Sequence, residues 1–345
     1  MRLGLAPESF VERIGAWLGM VPAPLVHGFY GMAGSRVLMT ALECGLVDAL
    51  DRHPGQTGEQ LATALCLDAA AIEHLVACLR TLAVVQTRTT RGGAAVHALS
   101  RSGARWLSSA SPTCIADFLR FNAHQWRWWG ELTQALEPGA APFDLHAWSP
   151  EDIRWAEYTK AMHQLARLAA PEVCAKVPVG RTGTTLLDLA GGHGAFAAEL
   201  CRRHPRLSAT VLDLPGNNRV ARELWAQPRI EWTDGNVLHG TLPQADIVTC
   251  FQLLGHLQRD ERRALLVRMR AAVRPGGTLA LMDHFASSGR DDASAFVALN
   301  YFLVARTPRL TVEEAARELR EAGWATPRIT PILRLPGQSL LCSRA

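Results

Sequence analysis

The sequence of 345 residues has few of the features that mark several large classes of protein. Its eight cysteines form no C-x-x-C pair and show no metal-ligand spacing, which argues against a disulfide scaffold and a bound metal. The 36 lysines and arginines are scattered and nearly balanced by 32 acidic residues, so the charge pattern does not demand a nucleic-acid partner. No apolar run has the length of a membrane span, and no basic segment with an apolar core opens the chain. We therefore expect a cytoplasmic protein with reduced thiols and no membrane partner.

The composition that is present is that of ordinary globular domains, with 48% hydrophobic and 20% charged residues. A chain of this length predicts two domains. The pattern is almost wholly helical as far as residue 172 and alternates between strands and helices after residue 184. We predict a mainly helical domain over residues 1–110, two linking helices within 111–175, at residues 114–136 and 151–173, and an α/β domain over 176–345.

The helical domain ends in a pattern that raises a second class of function. Thr57 and Gln60 form a capping box, and a helix predicted over Asp68–Leu82 is followed by two short strands around the turn Arg91–Gly93. Helices followed by a small hairpin predict a winged helix, as in many DNA-binding regulators. However, a helix that reads bases needs polar side chains on its exposed face, and this one offers mainly Arg80. DNA binding is therefore a remote alternative.

A glycine-rich loop between two predicted strands is the most informative segment of the chain. The first apolar strand ends on Asp188, and the loop Ala190–Gly194 leads into a helix predicted over Ala195–Arg203. A second apolar strand, Ala209–Leu212, is followed by Asp213. In such a βαβ unit, small residues let a ligand lie against the backbone, and the second acid can bind both hydroxyls of a ribose. The segment predicts a cofactor that carries a nucleoside.

Two cofactors compete for this site. The motif Gly192-x-Gly194-x-x-Ala197, with Asp213 about 20 residues beyond it, fits the loose dinucleotide fingerprint. The pattern acid-x-small-Gly-x-x-Gly, which begins at Asp188, instead suits S-adenosylmethionine, a cofactor without a pyrophosphate. The start of the unit after residue 180, the segment Asp234–Asn236 behind a third strand, and the turn Arg274–Gly277 before an apolar strand all favour the methyl donor.

Taken in order, these segments resemble the class I small-molecule O-methyltransferase family of bacterial secondary metabolism and plant phenol methylation. The resemblance covers nearly the whole chain and rests on the runs LDLAGGHGAF, LDLP, LLGHLQRDE and RPGGTLALMD. It implies a Rossmann-like α/β methyltransferase domain preceded by a mainly α-helical, winged-helix dimerisation domain. It also implies S-adenosylmethionine as the cofactor, a homodimer, and methylation of a hydroxyl on a small aromatic (phenolic) metabolite.

The resemblance assigns the cofactor to four segments of the α/β domain. Asp188 would help to hold the amino-acid end of the donor, and Asp213 the ribose hydroxyls, with Leu214 beside the adenine. Asn236 stands where the family usually has Asp, and its amide carbonyl can still accept a hydrogen bond from the adenine amine. The complete expected set is Asp188, Gly191, Gly192, Gly194, Asp213, Leu214, Gly235, Asn236 and Gln252.

The resemblance also makes His256 the candidate general base. A phenol with a pKa of about 10 becomes a good nucleophile once a neutral imidazole takes its proton. Asp283 matches the first of the family's two orienting glutamates, and an acid there would fix the tautomer of the imidazole. Two residues depart from the family pattern, because Gln258 replaces a tryptophan near the cofactor and Arg309 replaces the second glutamate. These departures leave two alternatives open, methylation of a ring carbon and loss of methyl transfer.

The acceptor pocket is expected to draw on two helices before the α/β domain and one within it. Trp128 and Trp155 are candidates to touch the substrate, and the flexible thioether of Met162 suits an aromatic face. Asn300 lies on a predicted helix near the pocket, where it would hold a polar substituent. The tryptophan content favours a flat, partly apolar acceptor. The predicted substrate-binding set is Trp128, Met162, His163 and Asn300.

Overall fold

The computed structural model describes residues 9–20, 22–141, 143–144, 147–180, 183–286 and 292–345. The chain divides into two compact units, one over Leu3–His124 and one over Gln125–Ala345. The boundary lies inside the helix α8 (Ala116–Gly130). The finer division at residues 110 and 175 stays a prediction.

The first unit is built mainly from helices that pack around an apolar core. Thr57 and Gln60 form the predicted capping box, and the Asp68 carboxylate accepts a hydrogen bond from the Ala71 N–H at 2.8 Å, so local sequence sets where two of these helices begin. Large side chains such as Leu46 and Leu61 are fully buried. The helices are α1 (Phe10–Trp17), α2 (Ala23–Leu25) with a π-helical turn (Val26–Tyr30), α3 (Gly31–Glu43), α4 (Leu46–Arg52), α5 (Gly58–Leu65), α6 (Ala69–Thr81) and α7 (Arg101–Leu107).

The predicted hairpin of this unit is confirmed. Strand β1 (Val85–Thr89) pairs antiparallel with β2 (Ala95–Leu99), and Val85 lies opposite Leu99. Among the described helices, none alone has both the length and the apolar composition to cross a bilayer, although α5 and α6, which meet at a bend of 114°, pass that test as a pair.

The second unit contains a seven-stranded sheet. Its strands are β3 (Thr185–Leu189), β4 (Ser208–Asp213), β5 (Ile230–Asp234), β6 (Ala245–Phe251), β7 (Val273–His284), β8 (Arg328–Pro331) and β9 (Gln338–Arg344). The order across the sheet is β5-β4-β3-β6-β7-β9-β8, with β9 antiparallel to both of its neighbours and the other pairings parallel. The chain reverses its direction of winding at β3, so the carboxyl ends of β3, β4 and β6 flank one crevice.

Helices cover both faces of this sheet. Four of the five β3 residues are buried, as expected for a parallel strand between two layers. The helices are α9 (Leu132–Ala135), α10 (Arg154–Lys176), α11 (Ala195–Arg203), α12 (Pro215–Trp225), α13 (Arg259–Ala272), α14 (Asp292–Ala305) and α15 (Val312–Glu321). The predicted α/β domain is therefore present, and α11 has the predicted bounds.

The linking helices agree with the sequence prediction in part. A single helix was expected over residues 114–136, but α8 ends at Gly130, whose low helix propensity favours a break before α9. The other helix was expected over residues 151–173, and α10 continues through Pro171 as predicted. A proline inside a helix costs about 3 kcal/mol, and here its neighbours Ala170 and Val173 are buried in the core, so tertiary packing outweighs the local penalty.

A buried ion pair joins α13 to α15. The Arg262 guanidinium donates two hydrogen bonds to the Glu318 carboxylate, at 2.7 and 2.9 Å, and a third to the Leu257 carbonyl at 3.2 Å. Both side chains are almost fully buried, with 5% and 2% of their surface exposed. The next residue, Arg263, makes a comparable pair with Glu321 at the surface.

These two neighbouring ion pairs test how much burial changes the contribution of an ion pair to stability. We expect Arg262→Met to lower the free energy of unfolding by about 3 kcal/mol, because the buried Glu318 loses two short hydrogen bonds and keeps a longer ion pair, at 3.9 Å, with the exposed Arg259. Arg263→Met should cost less than about 1 kcal/mol, since its pair is exposed to water. Urea unfolding followed by circular dichroism measures both values, and equal losses for the two variants would contradict this account.

Candidate active site

A cavity of about 380 Å³ lies at the carboxyl ends of the parallel strands. It is lined by side chains from the loops after β4, β5 and β6, from α10 and from the end of α14. Its walls include six of the residues predicted from the sequence. These six are Asp213, Leu214, Gly235, Asn236, Gln252 and His256.

The glycine loop after β3 contributes Ala190 to the cavity wall, and Trp232 packs closely against its glycines. The Trp232 indole N–H donates to the Gly192 carbonyl at 3.0 Å. A Cβ on Gly194 would lie 2.9 Å from the same indole ring, and Gly194 has a φ of +68°, which an L side chain rarely adopts. The loop therefore requires glycine for both its conformation and its packing.

Asp213, at the end of β4, holds this loop in place. Its carboxylate accepts hydrogen bonds from the Gly192 N–H at 2.7 Å and from the Leu214 N–H at 2.6 Å. The Asn217 side chain also bonds to it, while the Thr159 hydroxyl donates to the Asn217 amide oxygen at 2.6 Å. Burial raises the pKa of Asp213 to about 6, against the opposing effect of these donors.

Asp188, at the end of β3, has one carboxylate oxygen without a hydrogen-bond partner among the described residues. One carboxylate oxygen, Oδ1, accepts from the Thr249 hydroxyl at 2.6 Å. The other, Oδ2, is buried and bonds to none of the described residues. Burial raises the pKa of Asp188 to about 7, and the nearby charge of Asp213 adds to the shift. A buried acceptor of this kind fits a cationic ligand group.

Two further predicted cofactor residues lie on loops after β5 and β6. The Asn236 Oδ1 accepts a hydrogen bond from the Leu238 N–H at 2.9 Å, and an amide oxygen retains a second lone pair for a ligand donor. Gln252 has a φ of +59°, and its N–H donates to the Met282 carbonyl at 2.6 Å. A left-handed conformation at a residue other than glycine is costly and is often found at a functional site.

His256 lies on a 3₁₀ turn (Leu254–His256) between β6 and α13. The turn is held at Gly255, whose N–H donates to Asp283 at 3.0 Å and whose carbonyl accepts from the Thr307 hydroxyl at 2.5 Å. The imidazole of His256 packs edge to face against the Tyr301 ring, with 4.7 Å between ring centroids.

Asp283 lies behind this turn and is fully buried. Its carboxylate accepts from the Tyr301 hydroxyl at 2.9 Å and from the His284 N–H at 2.7 Å, in addition to Gly255. Burial raises its pKa to about 6, although these donors favour the ionised form. Sequence reasoning did not identify Tyr301, because its only local signal was a place beside Asn300 on the predicted helix.

The two departures from the family pattern have different environments. The Gln258 side chain donates to the carbonyls of Ala305 and Arg306, at 3.0 and 3.2 Å, and so ties the start of α13 to the end of α14. Arg309 is exposed to solvent. Water screens an exposed charge strongly, so this cation has less influence on a buried site than its position in the sequence suggested.

The predicted substrate-binding set of Trp128, Met162, His163 and Asn300 lies outside the walls of this cavity. Trp128 stacks on Phe143 at 6.2 Å, and His163 stacks on Trp225 at 4.0 Å. Burial lowers the pKa of His163 to about 4. Met162 and Asn300 are half-buried, and the Asn300 Oδ1 bonds to none of the described residues.

Two aromatic side chains of α10 do line the cavity. Trp155 was an additional candidate from the sequence, whereas Tyr158, which burial gives a raised pKa, was missed. Their rings lie 6.0 Å apart and face the loop that follows β4. Gly216 packs directly on the Trp155 indole, since a Cβ there would lie 2.2 Å from its nitrogen.

A mostly parallel sheet with a glycine loop and two acids at the carboxyl ends of its strands is typical of enzymes that bind a nucleotide cofactor. Within that class, a family model described as an O-methyltransferase domain matches residues 125–325, more than half of the chain. The chain belongs to this family, and it is an S-adenosylmethionine-dependent methyltransferase.

Individual proteins extend the similarity over nearly the full length. The tetracenomycin polyketide synthesis 8-O-methyl transferase TcmO of Streptomyces glaucescens is 27% identical over 323 residues, 89% of this chain and 92% of that protein. The N,N-dimethyltransferase OxyT of Streptomyces rimosus is 26% identical over the same shares. The crystal structure of human N-acetylserotonin methyltransferase with S-adenosylmethionine has a TM-score of 0.82 at 21% identity and covers 99% of both chains, which shows a shared fold.

Proposed function

We propose that this enzyme methylates a hydroxyl of a small aromatic (phenolic) metabolite, with His256 as the general base. The observation that carries the proposal is the position of His256. It lines the same cavity as Asp213, Gly235 and Asn236, which fit the nucleoside of the methyl donor. A base at this place can take the proton of a hydroxyl that is aligned for transfer.

The described residues fit the donor at three points. The glycine loop lets a ligand approach the backbone, and the buried Oδ2 of Asp188 suits an ammonium group. The Asp213 carboxylate faces the cavity and suits the two hydroxyls of a ribose. When bound, S-adenosylmethionine supplies an electrophilic methyl group on a sulfonium sulfur. The contribution of the protein is then to bind, to orient and to remove one proton.

The acceptor is proposed to be aromatic because Trp155 and Tyr158 of α10 line the same cavity as His256. Trp128 on α8, Met162 and His163 on α10 and Asn300 on α14 lie outside the walls of that cavity, and their contact with the substrate stays a prediction. Transfer to oxygen is favoured by the family description and by the TcmO relative. Ring-carbon methylation would use the same base, and it remains the second candidate.

The first unit is proposed to be a winged-helix dimerisation domain, ahead of linking helices over residues 111–175. Its N-terminal helices expose large apolar side chains, including Phe10 (76% exposed), Trp17 (84%) and Tyr30 (61%). A second copy of the chain is the proposed occupant of this surface, because solvent-exposed apolar patches of this kind mark association sites.

Sedimentation equilibrium tests the dimer. The wild type should have twice the monomer mass of 37.6 kDa, and Trp17→Glu should shift it toward the monomer, because a charge cannot be buried at an apolar interface without a large cost. Leu333→Glu, which changes an equally exposed apolar residue of the second unit, is the control and should leave the mass unchanged. A monomeric wild type would refute the assignment.

The raised pKa values of Asp188 and Asp213, about 7 and about 6, predict a pH-dependent affinity for the donor site. A ligand ammonium favours the ionised carboxylates, so binding releases protons below about pH 7 and weakens as the pH falls. We expect the Kd of S-adenosylhomocysteine to be at least about tenfold higher at pH 6 than at pH 8. Calorimetry measures it, with NAD as a ligand that should not bind.

The control for this titration is Asp188→Asn, which removes one titrating group. It should weaken binding at pH 8 and flatten the pH dependence. A wild-type affinity that stays constant from pH 5 to pH 8 would rule out the assignment of Asp188 to the ammonium.

His256→Ala tests the general base. Turnover should fall by about two orders of magnitude, because the acceptor keeps its proton, while affinity for S-adenosylhomocysteine stays unchanged. The assay uses labelled donor with a panel of phenols, and arylamines as the comparison set, and the position of the methyl group in the product separates oxygen from carbon and nitrogen transfer. His53→Ala, at an exposed histidine of the first unit, is the control. A loss of less than about tenfold would mean that alignment alone carries the reaction.

A further inference from the structure

Tyr301 contacts the base-bearing turn in two independent ways. Its hydroxyl donates to the Asp283 Oδ1 at 2.9 Å, and its ring lies 4.7 Å from the His256 imidazole, at an interplanar angle of 64°. The ring also packs on the backbone of the turn, because a Cβ on Gly255 would lie only 2.2 Å from a ring carbon of Tyr301. One side chain of α14 therefore touches the candidate base, the residue before it and the acid behind it.

Asp283 connects these contacts. Its Oδ2 accepts the Gly255 N–H at 3.0 Å, while its Oδ1 accepts the Tyr301 hydroxyl. The hydroxyl of Thr307, just beyond the end of α14, donates to the Gly255 carbonyl at 2.5 Å. The turn is thus fixed on its N–H side through Asp283 and on its carbonyl side by Thr307. In a buried polar network of this kind, each member limits the orientation of the others.

We infer that Tyr301 is a positioning residue for the reaction, which sets the orientation of the His256 imidazole and of the Asp283 carboxylate that holds the turn. This inference rests on the proposed role of His256 as the base. The ring of Tyr301 packs against the His256 imidazole, and its hydroxyl supplies a side-chain hydrogen bond to a carboxylate that is fully buried and otherwise bonded to backbone N–H groups. A base that is misplaced by about 1 Å can lose about a hundredfold in rate.

Two substitutions distinguish the contribution of the Tyr301 hydroxyl from that of its ring. Tyr301→Phe keeps the ring against Gly255 and removes only the donor to Asp283, so kcat should fall about tenfold, the loss expected for one hydrogen bond to a carboxylate. Tyr301→Leu removes the wall as well, and kcat should fall about a hundredfold and approach that of His256→Ala. The KM for the methyl donor should stay within about twofold in both variants.

Phe302→Leu is the matched control. Phe302 is the next residue of α14, and its ring packs under the Arg306 guanidinium at 4.8 Å. This variant makes a similar loss of aromatic volume on the same helix, so it should keep wild-type kcat. Thermal melting of all three variants shows whether each retains its fold, and Tyr301→Phe is the variant that preserves the packing at Gly255.

A second readout reports the imidazole itself and needs no acceptor. In protein labelled with ¹⁵N-histidine and saturated with S-adenosylhomocysteine, the ring signals of His256 are assigned by their absence in His256→Gln. Both Tyr301 variants should shift these signals, because they change the orientation of the ring and its surroundings, whereas Phe302→Leu should not.

The possible outcomes distinguish the positioning role of Tyr301 from the proposed role of His256. Wild-type kcat and unchanged His256 signals in both Tyr301 variants, with turnover lost in His256→Ala, would overturn the positioning role and leave the proposed function standing. If His256→Ala retained turnover, the proposed role of His256 as the general base would fail, and the ring signals would still decide whether Tyr301 orients His256.

Discussion

The hydrogen bond from the Gly192 N–H to the Asp213 carboxylate is the contact on which the site depends. It joins the loop after β3 to the end of β4, so one bond ties the glycine loop to Asp213. Because Asp213 is buried, this bond is stronger than it would be in water, and losing it would leave a buried carboxylate without one of its donors. Asp213 itself lines the cavity, together with Leu214 and Gly235.

The parts of the structure that sequence could predict are those fixed by neighbours along the chain. The glycine loop, the bounds of α11 and the helix starts at Thr57 and Asp68 all follow from residues within four positions of one another. The same is true of the hairpin in the first unit. In these segments backbone conformation and capping chemistry agree with the final fold, which is why a local pattern was enough.

The parts that sequence could not predict depend on residues far apart in the chain. Tyr301 reaches Asp283 across 18 residues, and Gln258 reaches the carbonyls of Ala305 and Arg306 across 47 and 48. Tyr158 enters the cavity because α10 packs beside the loop after β4. None of these contacts leaves a periodic or capping signal in the sequence.

The fit between Trp232 and the glycine loop also constrains how this site can change over evolutionary time. The Trp232 indole packs closely on Gly194, and its N–H donates to the Gly192 carbonyl. Trp232 belongs to β5 and follows Gly194 by 38 residues and Gly192 by 40. A larger residue at 194 would need a smaller one at 232, and that smaller residue would give up the bond to the loop. Because the φ of +68° at Gly194 would strain a larger residue even then, the two positions constrain each other, and a lineage that changes either one passes through a less stable intermediate.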